Sequence, residues 1–372
     1  MPVLDPQALI DNRVQAIRAY HESIHVPKAQ IDVSGGLDSA VIVGLLAKAL
    51  GPNNVTAVHS GIHSNPEHLK RAREVCDVFG VKLAYIDLTD IYEDLVAAMQ
   101  QSLLETGMSE VALVATLEED PTILGSIRST LRAPVGRGFN RIAGGGIRHG
   151  TGNECEDRWA RFYQKGGDGE VDTNPIAMLS KGEVFQLALA LGVPKSIITA
   201  MPSPDLWGNG DLHNDEDEFA AYFRFNASDH GHTFYSYIDV ETGEYRSVGL
   251  IERVSRFLDL NDISLGSPSF ERALFSDNED DADRLIRRAT IEPVEDRERD
   301  PGQPSYAAEM RDHAHTIQHF DGLGTPLIDD LLRAARRIER ATRHKYNPNC
   351  PTLGERDDLV DAGILTNELP EV

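Results

Sequence analysis

The first part of the chain alternates apolar runs with amphipathic stretches. Three runs have the length and the β-branched content of strands: 31–33, 55–60 and 81–88. Segment 38–50, between the first two runs, predicts a helix that is apolar on nearly every side. The next predicted helix has one apolar face: Leu69, Ala72, Cys76 and Phe79. This alternation predicts an α/β fold with a doubly wound parallel sheet, whose ligands bind at the carboxyl ends of the strands.

Polar residues predict where several helices begin and end. Ser64 and Glu67 have the spacing of a capping box, and Gly80 is placed to end that helix. Ser180 and Glu183 repeat the spacing, and Gly192 is placed to end the second helix. The inward positions of this helix are predicted to be Val184, Leu187, Ala188 and Leu191.

The turn after the first predicted strand reads SGGLDS, residues 34–39. Backbone N–H groups of Gly35 and Gly36 at a helix start predict an anion site, to which the hydroxyls of Ser34 and Ser39 add donors. Phosphate repels a carboxylate, so Asp38 is predicted to hold a divalent metal that the phosphates share. The turn has neither the lysine of a Walker loop nor the GxGxxG spacing. An ordinary glycine-rich turn is the alternative, although it leaves Asp38 without a role.

Lys181 lies at the start of the helix that follows Ser180. The positive end of the helix dipole makes this a poor place for a cation on stability grounds. A lysine here is therefore predicted to be directed at phosphate.

Composition narrows the class of protein further. The formal net charge is −24, which argues against binding nucleic acid or an anionic membrane. Only eight basic residues are lysines, which suits either a saline environment or an arginine-rich genome. Three scattered cysteines predict neither a disulfide framework nor a zinc site. Without a membrane-length apolar run or a signal-peptide pattern, we expect a cytoplasmic protein.

These motifs resemble a known family. SGGLDS resembles the SGGxDS pyrophosphate loop of N-type ATP pyrophosphatases, which have an adenine nucleotide alpha hydrolase-like fold. The run from 149 to 219, beginning HGTGNECEDRW, is similar to the GTGNxxE run of ammonia-dependent NAD synthetases. HKYNP at 344–348 resembles the C-terminal HKRxxP of that family. The likeness covers most of 1–219 and about 326–350.

The resemblance implies ATP-dependent, AMP-forming amidation of nicotinate adenine dinucleotide by free ammonia, with Mg²⁺ as cofactor, in a homodimer. It implies ATP contacts from Ser34, Gly35, Gly36, Asp38, Ser39, Arg132, Thr151, Lys181 and Ser203. Asp38 and Glu156 would hold the metal, and Asp168 and Lys181 would be catalytic. The substrate contacts would come from Lys165, Asp172, His344 and Lys345. Ser203, which precedes a proline, also suits a plain turn.

Several positions depart from the family pattern. Thr130 stands in place of an arginine, Asp32 in place of a glycine, and Arg148 and His149 interrupt an apolar strand. Pro134 is expected to shorten its helix. Arg128, Arg132, Arg148 and Lys165 are the candidate cations for a dinucleotide pyrophosphate. Two alternatives stay open: a paralogue that amidates another carboxylate, and a nucleotide sensor without turnover.

The chain is predicted to divide into 1–219, an insert at 220–325 that the family pattern lacks, and a C-terminal part at 326–372. The insert is expected to contain a hairpin near 226–245 and helices at 249–260 and 279–290. We interpret its histidines as surface groups, with metal binding as the alternative: His230 and His232 beside Asp229, and His313, His315 and His319.

Overall fold

The computed structural model describes residues 3–120, 122–160, 163–200, 237–242, 245–247 and 354–367. Its centre is a parallel sheet of four strands: β1 (Ala29–Asp32), β2 (Val55–Gly61), β3 (Leu83–Asp87) and β4 (Ile147–His149). The strand order is β3-β2-β1-β4. The chain therefore moves outward from β1 to β3 and then returns to the other side of β1. This confirms the predicted doubly wound fold.

Helices join and flank the strands. The first group comprises α1 (Pro6–Ser23), α2 (Leu37–Leu50), α3 (Pro66–Phe79), α4 (Thr89–Glu105), α5 (Glu110–Glu119) and α6 (Thr122–Ile142). A π-helix at Glu154–Ala160 follows β4, and then come α7 (Lys181–Leu191) and α8 (Lys195–Ile198). The short strands β5 (Tyr237–Ile238) and β6 (Tyr245–Ser247) pair antiparallel within the predicted hairpin. The last described helix is α9 (Arg356–Asp361).

The core lies between the sheet and the helices α1, α2 and α7. Ten of the 14 residues of α2 are buried, as its apolar sequence predicts. All four inward positions predicted for α7 are buried. On α3 the buried side chains are His68, Ala72, Val75 and Cys76, while Leu69 and Phe79 are only partly covered. Close contact between α2 and α3 depends on Gly44, where a Cβ would lie 2.8 Å from the Phe79 ring.

Two predicted helix starts have different outcomes. The Ser180–Glu183 capping box at α7 is present, with both reciprocal bonds. At α3 the prediction was wrong by one residue: Asn65 is the N-cap and accepts from the Glu67 N–H. The Ser64 hydroxyl instead accepts a hydrogen bond from the N–H of Ile62. An asparagine directly before Pro66 caps the helix well, so Ser64 stabilises the preceding turn rather than the helix.

Pro134 does not shorten α6, which corrects a second expectation. The helix continues from Thr122 to Ile142 with the proline inside it. Pro134 and Thr130, one turn earlier, are both exposed. Solvent can therefore hydrate the carbonyl that loses its helical partner, and packing of the opposite face against β1 and β2 keeps the helix in one piece.

The C-terminal segment 354–367 packs against the main core. Leu359, Ile364 and Leu365 are buried there, and the N–H of Leu4 donates to the Ile364 carbonyl at 3.1 Å. Within the described ranges, no helix is long and apolar enough to cross a membrane. The predicted helices at 249–260 and 279–290 lie outside the described residues, as do both histidine groups.

Candidate active site

Several of the predicted site residues lie at the carboxyl ends of β1 and β4. The chain leaves β1 toward β2 and later enters β4 on the other side of β1, which makes the crevice between β1 and β4 the topological switch point. The SGGLDS loop leaves β1, and the GTGN turn leaves β4. The first turn of α7 lies beside both.

The loop after β1 requires glycine at its centre. Gly35 has φ +86°, and a Cβ there would lie 2.2 Å from the carbonyl oxygen of His68. Arg71 fixes the loop from the other side, with Nε donating to the Gly35 carbonyl at 3.0 Å. Ser34 Oγ accepts from the Gly36 N–H at 3.2 Å and lies 3.1 Å from Ser39 Oγ. The loop is thereby held open at the start of α2, where backbone N–H groups favour an anion.

Asp38, Glu156 and Lys181 form one cluster, although 143 residues separate the first from the last. Lys181 Nζ donates to Asp38 Oδ2 at 2.6 Å and to Glu156 Oε1 at 3.1 Å. The side chains of Lys181, Asp38 and Glu156 are 11%, 16% and 31% exposed. The two carboxylates therefore share a cation while keeping a face toward solvent.

Asn153 holds the Asp38 carboxylate and the Glu156 backbone in place. Its Nδ2 donates to Asp38 Oδ1 at 3.2 Å, and its Oδ1 accepts from the Glu156 N–H at 3.2 Å. Asn153 is fully buried. Sequence reasoning treated this residue only as part of the GTGN motif. Its amide, which both donates and accepts, was the available signal.

Sequence reasoning also missed a third acidic residue, Asp157. Asn174 Nδ2 donates to Asp157 Oδ2 at 2.8 Å. Burial raises the pKa of Asp157 well above its ordinary range, and Glu156, Asp168 and Asp38 add repulsion. Burial also raises the pKa of Glu156, an effect that Lys181 opposes and Asp38 reinforces. The buried Cys155 lies in the same π-helix.

Asp168 stands at the exposed edge of the site. Its Oδ1 accepts from Ser129 Oγ at 2.7 Å and from the Gln164 N–H at 2.9 Å. Both bonds use one carboxylate oxygen, and among the described residues no partner is recorded for Oδ2. The carboxylate is therefore oriented with one oxygen toward solvent.

Asp172, predicted as a substrate contact, is engaged within the protein. Arg137 Nη1 donates to both of its oxygens, at 2.9 and 3.0 Å, and the Arg148 N–H donates to Oδ2 at 2.8 Å. Arg137 also pairs with Glu170 at 3.1 Å. Lys165 is exposed on the same side. Arg137 is a half-buried cation on this surface that the sequence pattern did not single out.

Two departures from the family pattern are partners of each other. Arg148 Nη2 lies 2.5 Å from Asp32 Oδ2, and Arg148 also donates to the carbonyl of Glu170 at 2.6 Å. Only 3% of Arg148 is exposed. The hypothesis that Arg148 meets a substrate pyrophosphate is therefore wrong, because its guanidinium is consumed inside the fold. Gly136 makes room for the pair, since a Cβ there would lie 2.8 Å from the Asp32 oxygens.

His149 is likewise structural. Its Nε2 lies 2.9 Å from His21 Nε2, and Thr173 Oγ1 lies 2.9 Å from its Nδ1. Burial lowers the pKa of His149 to about 3, with His21 contributing, and burial also lowers the pKa of His21. Both rings therefore stay neutral and tie β4 to α1.

Arg132 and Thr151 lie nearby. Arg132 Nε donates to the Ser60 carbonyl at 3.2 Å, at the carboxyl end of β2. Thr151, half-buried, follows β4 directly. Ser203, His344 and Lys345 lie outside the described residues.

A doubly wound parallel sheet with an anion loop, paired carboxylates and a lysine at its switch point defines a nucleotide-binding α/β enzyme. The described residues hold no group of three or more metal-ligating side chains. A model of one family, NAD synthase, matches residues 9–226, and the chain belongs to this family.

Known proteins agree with this assignment. The NH(3)-dependent NAD(+) synthetase of Methanococcoides burtonii is 30% identical over 203 residues, 54% of this chain and 70% of that protein. The enzyme of the same name from Thermoplasma volcanium is 33% identical over 192 residues, 51% and 70% of the two chains. A solved structure of NMN synthetase from Francisella tularensis has 26% identity and a TM-score of 0.50, and covers 58% of this chain and 82% of that one.

Proposed function

We propose that this protein converts nicotinate adenine dinucleotide and ammonia to NAD, using ATP and releasing AMP and pyrophosphate. The observation that carries the proposal is the meeting of Asp38, Glu156 and Lys181 at the switch point of a NAD synthase family member. The names of the similar enzymes support the choice of product.

Asp38 and Glu156 suit Mg²⁺. They already hold one cation, the Lys181 ammonium, within 3.1 Å of both carboxylates. Carboxylate oxygens are the ligands that Mg²⁺ prefers, usually one or two from protein with the rest from phosphate and water. When bound, Mg²⁺ supplies charge neutralisation at the phosphates. The two carboxylates would hold it, and Asn153 would fix the Asp38 carboxylate and the backbone position of Glu156.

The chain's own residues account for the first step by position and charge. The oxygen of the substrate carboxylate attacks the α-phosphorus of ATP, and the bond to pyrophosphate breaks. The loop N–H groups of Gly35 and Gly36 bind the phosphates that become the leaving group. Lys181 offsets the charge that develops on it. Steps of this kind depend mainly on positioning and electrostatics.

In the second step ammonia attacks the acyl carbon and AMP leaves. Asp168 is the group that we propose to hold ammonium or to accept its proton. Its Oδ1 is fixed by Ser129 and the Gln164 N–H, so Oδ2 has a defined direction. The similar enzymes from Methanococcoides burtonii and Thermoplasma volcanium are named as NH(3)-dependent. Free ammonia, or ammonia from a separate protein, is therefore the proposed nitrogen source.

The substrate side of the site carries several cations. Arg132 and Arg137 are half-buried, and Lys165 is exposed. A guanidinium binds phosphate through paired hydrogen bonds, so Arg132 is the proposed substitute for the arginine absent at Thr130. Arg137 already pairs with Asp172 and Glu170. Asp172, Ser203, His344 and Lys345 remain proposed contacts on the strength of the family resemblance.

A homodimer is also part of the proposal. α4 buries only Tyr92 and α5 only Leu113. Large apolar side chains on α4, α5, the connection between them and the end of α6 are exposed: Ile91, Met99, Leu103, Met108, Val111, Val114 and Ile142. A face of this kind is typical of an interface, and a second copy is the occupant that the family resemblance implies.

The test is a substrate comparison with the purified full chain. We expect equal amounts of NAD and AMP with nicotinate adenine dinucleotide, MgATP and ammonium, and almost none when glutamine replaces ammonium. Nicotinate mononucleotide serves as the control for recognition of the adenylate half. AMP formation that ignores the dinucleotide but responds to another carboxylate would reject the proposed substrate.

A further inference from the structure

The segment 354–367 contacts the active-site helix α7 through one buried ion pair. Arg356 Nη1 donates to Glu183 Oε2 and Nη2 to Glu183 Oε1, both at 2.8 Å. Arg356 is 2% exposed and Glu183 is fully buried. This arginine lies outside residues 9–226, where the family model matches. A part of the chain distant in sequence therefore reaches the start of α7.

The remaining donors of Arg356 are also satisfied. Nη2 donates to the Thr366 carbonyl at 2.7 Å, and Nε donates to Asn367 Oδ1 at 2.9 Å. Nη1 lies 3.4 Å from the carbonyl of Met178. The guanidinium is therefore fixed on one side by the C-terminal segment and on the other by the residues that directly precede α7.

Glu183 is the residue that closes the capping box of α7. Its Oε2 accepts from the Ser180 N–H at 2.8 Å, so one carboxylate oxygen serves both the cap and Arg356. Lys181 lies between the two capping residues, at the first position of the helix. The guanidinium thus fixes the turn whose backbone carries the active-site ammonium.

A stability role alone explains this arrangement poorly. Capping boxes at exposed helix starts work without an arginine, and a buried ion pair is often no more stabilising than apolar residues of similar size. The position of Lys181 imposes a stricter requirement. The Lys181 ammonium must reach carboxylates on α2 and on the π-helix at 2.6 and 3.1 Å, and small misplacements in an active site reduce rates strongly.

We propose that Arg356 is a positioning residue: through Glu183 it fixes the first turn of α7 and so places Lys181 against Asp38, Glu156 and the phosphates of ATP. The inference rests on the proposed role of Lys181 toward ATP. It assigns to the C-terminal segment a direct part in building the ATP site.

The experiment compares three variants of the full chain: Arg356→Met, Arg356→Lys and the double variant Arg356→Met/Glu183→Gln. In the double variant the uncompensated buried carboxylate is gone, and the amide oxygen of the introduced glutamine can still accept from the Ser180 N–H. We therefore expect its melting temperature to return close to that of the wild type. Positioning is not restored, so kcat/KM for ATP should stay at least about tenfold low.

The readouts separate position from stability. Turnover is measured well below each melting temperature, and KM for ATP and KM for ammonium are determined separately. We expect the kinetic parameters for ATP to worsen and KM for ammonium to stay at the wild-type value. Arg13→Met is the control, because Arg13 is another buried arginine near this segment, and its Nη1 is directed at Pro175 and Met178. It should lose stability and keep the wild-type KM for ATP.

Binding of MgATP, measured by calorimetry, keeps this test independent of the carboxylate substrate. If the wild type binds ATP but ignores nicotinate adenine dinucleotide, the proposed substrate fails and the positioning role is still measured. Recovery of ATP affinity and turnover together with stability in the double variant would overturn the inference. Wild-type behaviour of Arg356→Lys, which folds with the charge but lacks the paired hydrogen bonds, would overturn it as well.

Discussion

The charged residues of this site are held in place by the polar and charged groups of their neighbours. Asp38 and Glu156 are held by one amide, that of Asn153, and by one ammonium, that of Lys181. Asp157 adds a third acidic group, and its raised pKa favours the protonated form. The negative charge of the site therefore comes from Asp38 and Glu156, an arrangement that favours a divalent cation over a bare anion.

Replacing Asp38 by asparagine tests the metal assignment. The side chain keeps its size, and the loop needs no carboxylate for its conformation, so we expect a folded protein with turnover reduced at least about a hundredfold. Pyrophosphate release and circular dichroism are the measurements. Glu67→Gln, at an exposed carboxylate on α3, is the matched control. Near-normal release from the Asp38 variant would remove this residue from the metal site.

Asp157→Asn should stabilise the protein in a pH-dependent manner. Burial and neighbouring carboxylates raise the pKa of Asp157, so its folded form favours the proton. Wild-type stability from this group is present at low pH and is lost as the pH rises through the raised pKa. The variant avoids that loss, so the gain in melting temperature should be about 2–4 °C at pH 8 and should shrink toward pH 5. A gain that is the same at both values would contradict this explanation.

The sequence allowed Asp38 and Lys181 to be singled out, because each lies at a helix start that local patterns reveal. Glu156 was singled out by the family resemblance, and Asp157 was missed. The sequence did not allow their partners to be predicted. Arg137 finds Asp172 across 35 residues, and Arg356 finds Glu183 across 173. Such pairs depend on where elements meet in space, and local periodicity contains no information about that.

At the scale of elements, α6 shows how a helix adapts to an unusual strand. The Asp32–Arg148 pair lies between β1, β4 and this helix, and Gly136 is the position where the helix approaches it. The capping residues of α7 were predictable from spacing alone. The continuity of α6 through Pro134 was not, since it depends on which face of the helix meets solvent.

Two glycines on α6 provide a matched test of this contact. At Gly138 a Cβ meets nothing within 4 Å, so Gly138→Ala should stabilise the protein by about 1 kcal/mol through helix propensity. At Gly136 the same atom would lie 2.8 Å from both carboxylate oxygens of Asp32, which Arg148 and Gln30 hold in place. Gly136→Ala should therefore destabilise by about 1–3 kcal/mol. Urea unfolding measures both, and equal effects would mean that the helix does not press on the pair.

At the scale of the whole molecule, the helices around the sheet differ in how far their apolar side chains are buried. α1, α2 and α7 cover one part of the sheet and form the core, and the C-terminal segment packs there. α4 and α5 leave their apolar side chains exposed. The general α/β class, with its site at the carboxyl ends of the strands, followed from strand–helix alternation, whereas the docking of residues 354–367 had no sequence signal that we recognised.

The proposed dimer predicts a mass of twice 41.0 kDa in solution at micromolar concentration. Val111→Asp combined with Val114→Asp should give monomers, because both side chains are on the exposed face of α5. Light scattering coupled to size exclusion is the measurement. Val78→Asp is the control, at an exposed valine on α3, and should leave the dimer intact. A wild type that is monomeric under these conditions would reject the dimer.

Two buried thiols in the described part of the chain can report on local opening of the structure. Cys155 lies beside Glu156 in the π-helix, and Cys76 lies on the buried face of α3, where burial raises its pKa to about 12. A thiol reagent can reach either only during transient exposure of that segment. With Cys350 replaced by serine, the labelling rate at Cys155 should fall when MgATP is added, while the rate at Cys76 should change little. The ratio of the two labelling rates then measures how much ligand binding reduces transient opening of the catalytic crevice, separately from opening elsewhere in the fold.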